Sequence, residues 1–248
     1  MRAVTNDCVP EGPESDTPLP PAHYNDRCMS RRLAMLVLLC LVVPLLAFSA
    51  PSHGIFQGST DIGAARKGSS EFDPATVTYT VSGGGANMWE SADAFHFDWQ
   101  KLDGDAAVTA AIQFPPGTHV PHEKAVLIFR QSLDPASEYA DVAVHANGLI
   151  ALQYRAVAGG ITDDIAATES ADTTKPVTVR IQRDGDLYVA SIAGADGKFA
   201  QFASAVIALH DPMYVGIGVC AHEADGMATV NFSKVAIERH PKPVKMGS

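Results

Sequence analysis

Apolar and polar residues alternate along much of this chain with a period of two, the spacing of a strand whose successive side chains face opposite ways. The pattern is clearest between His122 and Arg155. Three runs there, Lys124 to Gln131, Glu138 to His145 and Leu149 to Val157, are separated by the turn-forming segments Ser132-Leu133-Asp134-Pro135 and Ala146-Asn147-Gly148. Val142 and Val144 fall on one side of the second run and Asp141 and His145 on the other, which predicts a sheet with one apolar and one polar face. Comparable runs are Thr76 to Val81, Ala92 to Trp99, Ala107 to Phe114, Val177 to Arg183, Leu187 to Ile192, Lys198 to Phe202, Met213 to Ala221 and Ala228 to Ile237, about eleven strands in all. Asp184-Gly185 and Asp196-Gly197 mark hairpins, because glycine accepts the positive φ of tight turns. Gly54 to Ser70 reads as a Gly- and Ser-rich approach. No amphipathic helix or repeat interrupts the series, so the predicted fold is an all-β, antiparallel two-sheet sandwich or jelly roll.

Composition divides the chain. Residues 51–241, 46% apolar with the rest of the chain, suffice for one sizeable core. Residues 242–248 read as a tail. Ahead of the sandwich, Ser30-Arg31-Arg32 and the apolar run Leu33 to Phe48 form a secretory signal over residues 29–50, with small residues at Ala47-Phe48-Ser49-Ala50 for cleavage. Residues 1–28 are rich in Pro, Asp and Glu and read as a disordered leader, with Met29 as the natural start. Retained, the apolar run would be a short membrane anchor interrupted by Pro44. Ser30-Arg31-Arg32-Leu33 lacks the residues that complete a twin-arginine signal, and Cys40 follows Leu39 rather than the small residue of a lipoprotein signal. The expectation is export, periplasmic or secreted, with no stable membrane insertion. Of four cysteines, only Cys220 lies beyond the signal, so the sandwich has no intramolecular disulfide. A net charge of −10 with scattered basic residues argues against a nucleic-acid partner.

Several motifs carry a resemblance. They are Gly83-Gly84-Gly85-Ala86-Asn87-Met88-Trp89, Phe95-His96-Phe97-Asp98-Trp99 with Gly104-Asp105, His122-Glu123-Lys124-Ala125, Arg130-Gln131-Ser132-Leu133-Asp134, Gly148-Leu149 with Leu152-Gln153-Tyr154-Arg155, and Gly216-Ile217-Gly218-Val219-Cys220-Ala221-His222. Together they resemble bacterial exported concanavalin A-like, or laminin G-like, jelly-roll modules, similar to the "regulation of enolase" domain of unknown function and to modules associated with Tol biopolymer transport. The resemblance spans Gly54 to Arg239. It implies two stacked, curved antiparallel sheets, one concave. Many relatives in that broad superfamily bind or cleave polysaccharide on the concave face, and some carry a structural calcium.

Alternation nominates the polar face. In Phe95 to Trp99 the aromatics share one side and His96 with Asp98 the other. Gln153 and Arg155 fall together, opposite Leu152 and Tyr154. From Val215 to His222, Val215, Ile217 and Val219 form the apolar side, while Gly216 and Gly218 leave a groove floor beside Cys220 and His222. With Arg130, Asp141 and His145, these polar side chains define a candidate carbohydrate site, since Arg presents a rigid fork of donors and Asp and Gln complete hydrogen bonding to a sugar. The same residues equally fit a network of cross-strand ion pairs.

Sharper chemistry has weaker support. Cys220 and His222 point the same way, a nucleophile design, but a lone buried cysteine is usually an apolar filler. His119 and His122 with Glu123 match no strong zinc spacing. Asp103-Gly104-Asp105 and Asp163-Asp164 offer oxygen ligands without a full calcium-loop pattern. The paired acids of a sandwich glycosidase are not evident. The expected function is therefore an exported, non-catalytic module binding a carbohydrate or cell-envelope polymer on its concave sheet, requiring no cofactor and tolerating a structural calcium. The alternatives are a glycan-active hydrolase or lyase using the same face, and an envelope protein-interaction module.

Overall fold

The computed structural model describes residues 53–244, so the leader and signal expected over residues 1–50 lie outside the described residues. The described chain forms sixteen strands and no helix. One seven-stranded sheet runs, in spatial order, β1 (Gly58–Ile62), β6 (Phe95–Leu102), β15 (Met213–Cys220), β8 (Lys124–Arg130), β9 (Tyr139–His145), β10 (Ile150–Arg155) and β11 (Asp163–Ala166). The second runs β14 (Phe199–Val206), β13 (Leu187–Ala193), β12 (Val177–Asp184), β7 (Ala106–Gln113), β16 (Glu223–Arg239), β3 (Thr78–Gly85) and β2 (Ser69–Asp73). A short ribbon, β4 (Met88–Trp89) with β5 (Ala92–Asp93), completes the set. All pairings are antiparallel, and the architecture is a concanavalin A-like jelly-roll sandwich.

Every run expected to be a strand overlaps one, and the run Ala92 to Trp99 is divided between β5 and β6. The strands that alternation does not reveal are β1, β2, β4 and β11. The first, second and last of these are sheet edges with solvent on at least one side, and β11 is exposed throughout. An edge strand needs no apolar stripe, so Ser, Asp and Gly suffice there.

The main core lies between the sheets, where Leu127, Phe129, Val142, Val144, Leu152, Ile217 and Val219 of the first sheet meet Val108, Ile112, Val179, Ile181, Val230 and Phe232 of the second. The expectation of a striped first sheet needs correction. Every residue of β8 and β9 is buried, on both faces. The outer face of that sheet carries its own apolar cluster, in which Met88 of the ribbon packs with Phe95, Phe97, Val126, Ile128, Tyr139, Ala143 and Cys220. Polar residues on this face therefore sit under a cover instead of in open solvent.

Candidate functional site

Register determines which side chains share that outer face, because directly opposed residues of an antiparallel pair point to the same side. Lys124 is opposed by Cys220 on one flank and His145 on the other. Asp141 lies between Ile128 and Gln153, and Tyr139 between Arg130 and Arg155. Three polar tiers thus cross the middle of the sheet.

The tier of Arg130 and Arg155 is sealed. Both guanidiniums are fully buried and converge on Asp93 at the end of the ribbon. Arg130 Nη1 is 2.5 Å from Asp93 Oδ2, and Arg155 grips both carboxylate oxygens, at 2.8 Å from Nη1 and 2.7 Å from Nη2. Their other donors are taken by backbone carbonyls: Arg130 bonds Ser132, Asp134 and Pro135, and Arg155 bonds Glu90, Ser137 and Gly160. These two arginines, expected to face a ligand, instead pin the covering segments onto the sheet. A bidentate Arg–carboxylate pair is the strong form of such a bond, and here one Asp serves two. Sequence alternation could not reveal this, because Asp93 lies outside the central stretch.

The tier of Lys124 and His145 remains open. Together with Asn87, Trp89, His122, Leu149, Gln153, Asp164 and His222 these residues line a pocket of about 390 Å³. The His122 ring lies 5.7 Å from that of His145 and 5.3 Å from that of His222, centroid to centroid. His145 Nδ1 is 3.1 Å from the Leu149 carbonyl, which leaves its Nε2 for other partners. His222 stands at a φ of 56°, a left-handed conformation uncommon outside glycine, at the turn between β15 and β16. Lys124 Nζ donates to Asn87 Oδ1 at 3.0 Å and to the Met88 carbonyl at 3.3 Å, tying the pocket floor to the ribbon. Gln153 is 4% exposed, and its Oε1 accepts no hydrogen bond from the described residues.

Burial dominates the electrostatics here. It pushes the His145 imidazole down to about 3, assisted by the charge of Lys124. The same two causes lower His222. Burial holds the Asp141 carboxyl well above the usual carboxylate range against the pull of Lys124, and lowers Lys124 itself. The Cys220 thiol, buried beneath this tier with its Sγ 3.5 Å from the Gly85 carbonyl, is pushed up to about 11. A thiol in that state is a poor nucleophile, so Cys220 and His222 do not make the pair their spacing suggested.

His96 and Asp98 do not join this face. Their cross-strand partners are Val219 and Ile217, which point into the core between the sheets. The aromatic side of β6 faces outward instead, because Gly218 opposes Phe97 and a Cβ at Gly218 would stand 2.7 Å from the Phe95 ring. The expected groove floor is thus filled by aromatic rings. His96 serves a separate polar cluster at the edge of the sandwich, with Nδ1 2.7 Å from Asp61 Oδ1 and Nε2 2.9 Å from Ser59 Oγ and 3.2 Å from Ser70 Oγ. Burial raises the Asp98 carboxyl beside it against the opposing effect of the Ser70 and Ser59 hydroxyls.

Of the residues expected at a ligand site, then, His145, Gln153 and His222 line the pocket. Asp141 and Cys220 lie on the same face but are fully buried. Lys124 also lines the pocket, and its alternation with Val126, Ile128 and Arg130 is a signal of that face in the sequence. His122 lines the pocket apart from His119, which bonds Glu123 at 2.8 Å. Trp89 and Asn87 come from the ribbon, which periodicity does not reveal. Asp164, a candidate calcium ligand by sequence, pairs with Gln153 across β10 and β11 and reaches the pocket from there.

No family model matches the chain, and no curated protein does either. Solved structures do share its fold. A functionally unknown protein from Saccharomyces cerevisiae superposes with a TM-score of 0.55 at 15% identity, over 75% of this chain and 97% of that one. The carbohydrate binding module CBM66 from Bacillus subtilis gives 0.50 at 15% identity, over 75% and 98%. The GH43 protein BlXynB from Bacillus licheniformis gives 0.50 at 12% identity, over 65% of this chain and 32% of that one. At these identities the likeness establishes the jelly-roll fold, while the narrower kinship with "regulation of enolase" and Tol-associated modules has no matching family model.

Proposed function

We propose that the protein is an exported, non-catalytic β-sandwich module that binds a carbohydrate or cell-envelope polymer in the pocket beside Lys124 on the outer face of the first sheet. The observation that carries this reading is Gln153. It is a nearly buried amide at the wall of an open pocket, with an acceptor that no described residue satisfies. Buried polar atoms are normally hydrogen-bonded, and a sugar hydroxyl supplies the missing donor. The neighbouring groups suit the rest of a sugar ring: Trp89 and Leu149 offer apolar surface, and His122, His145 and Asn87 offer polar contacts around it. The shared fold of CBM66 makes a glycan the first ligand class to test.

Full-length protein screened against neutral and acidic polysaccharides, with and without a calcium chelator, tests the reading. Binding without release of shorter products supports it. Product release would replace it with the glycan-active alternative. Absence of binding to every polysaccharide, with a stable protein partner recovered instead, would refute it. Export is a separate component of the proposal: secretion should remove the segment up to about Ala50, a cut readable from the N-terminus of the mature protein.

A further inference from the structure

We propose that the polymer is acidic, its sugar carboxylate received by Lys124 with His122 and His222. This inference rests on the pocket being the binding site and names the chemistry of what enters it. Lys124 is 2% exposed, yet both of its hydrogen-bond partners, the Asn87 amide oxygen and the Met88 carbonyl, are neutral. No described carboxylate lies within 4.0 Å of its nitrogen, in a chain where acidic groups outnumber basic ones 28 to 18. An ammonium has three donors, so one remains for a ligand. Buried charges ordinarily have a charged partner close by, and this one reaches its nearest acids only through space.

The groups around it decide whether an anion is welcome. Asp141 lies beneath, held toward its neutral form by burial. Asp93 is engaged by two arginines. Asp164 stands at the rim on the exposed strand β11, and Glu223 is exposed beyond His222. Cys220 beside Lys124 is held as the neutral thiol. The imidazoles of His145 and His222 both register the positive charge of Lys124, which helps to lower them. An incoming carboxylate relieves that field. A neutral sugar does not, so the pocket discriminates by charge as well as by shape.

The test is isothermal titration of the full chain with oligogalacturonate, the same oligomer methyl-esterified, a neutral galactan oligomer, and sodium acetate. The ester removes the ligand charge without altering the protein, so the comparison does not depend on any variant folding. Expected is binding of oligogalacturonate at least tenfold tighter than of its ester or the neutral chain, weakening as salt is raised. Lys124→Met should erase that preference, with thermal melting confirming its fold. Equal binding of acid and ester overturns the inference while leaving carbohydrate binding in place. Acetate binding as tightly as the oligomer overturns the polymeric source. No binding of any oligomer overturns the inference, and the polysaccharide screen then decides the underlying reading.

Discussion

Replacing Asp93 by Asn removes the one carboxylate that two buried guanidiniums share. Both arginines keep their backbone carbonyl acceptors, so hydrogen bonding survives in part while the charge balance does not. Breaking a buried ion pair by removing one partner costs about 3–5 kcal/mol, a large share of the roughly 5–15 kcal/mol that holds a domain together. With a urea slope of about 2–3 kcal/mol per molar, the unfolding midpoint should fall by about 1–2.5 M. The decisive comparison is the joint variant Asp93→Leu, Arg130→Met, Arg155→Met, which removes all the charge at once. It should lie below Asp93→Asn, because the backbone carbonyls that the two arginines bond lose their donors as well. An Asp93→Asn midpoint within about 0.3 M of wild type, or a joint variant as stable as wild type, would refute the role given to this triad in pinning the cover.

Three further outcomes follow from the same geometry. Gly218→Val should destabilise by about 1–3 kcal/mol in thermal unfolding, because its side chain enters the space of the Phe95 ring, whereas Gly185→Ala, with no atoms near the added carbon, should show only the strain of its positive φ. His145 is neutral in the fold down to about pH 3 but takes a proton near 6.5 when unfolded, so its contribution is complete above pH 6.5 and is lost as pH falls toward 3. His145→Gln should therefore gain on wild type as urea midpoints are followed downward from pH 7.5 to 4.5, and a constant difference would contradict this. Cys220, buried with its thiol raised, should resist a thiol reagent in the native state and react only as fast as the protein opens, so rapid native labelling would contradict the placement.

Much of the sandwich was legible because its central strands obey a period of two, and the same alternation placed Arg130, Asp141, His145, Gln153 and Arg155 on one face. What it could not convey is what lies over that face. The ribbon of Met88 to Asp93 is too short and too polar to announce itself, yet it turns Arg130 and Arg155 from ligand donors into anchors and supplies Trp89 to the pocket. His96 and Asp98 were misplaced for a related reason. With aromatics on one side of a strand and polar groups on the other, the natural assumption puts the polar side outward. Here the apolar cover takes the aromatics, and the polar side turns inward at a sheet edge, where Ser59, Asp61 and Ser70 hydrogen-bond His96. Residues brought to the pocket by separate turns, His122 and His222 among them, share no sequence period and become neighbours only in the fold.

The pocket itself is tested most directly by mapping backbone and side-chain NMR shifts while a polysaccharide oligomer that binds is titrated into the protein. Binding at the proposed site moves the resonances of Trp89, His122, Lys124, His145, Gln153 and His222 together, saturating at one stoichiometric site, and leaves β12 to β14 of the second sheet unchanged. Saturable shifts confined to the second sheet or to the edge around Ser59 and His96, with the Gln153 amide unmoved, would contradict the account.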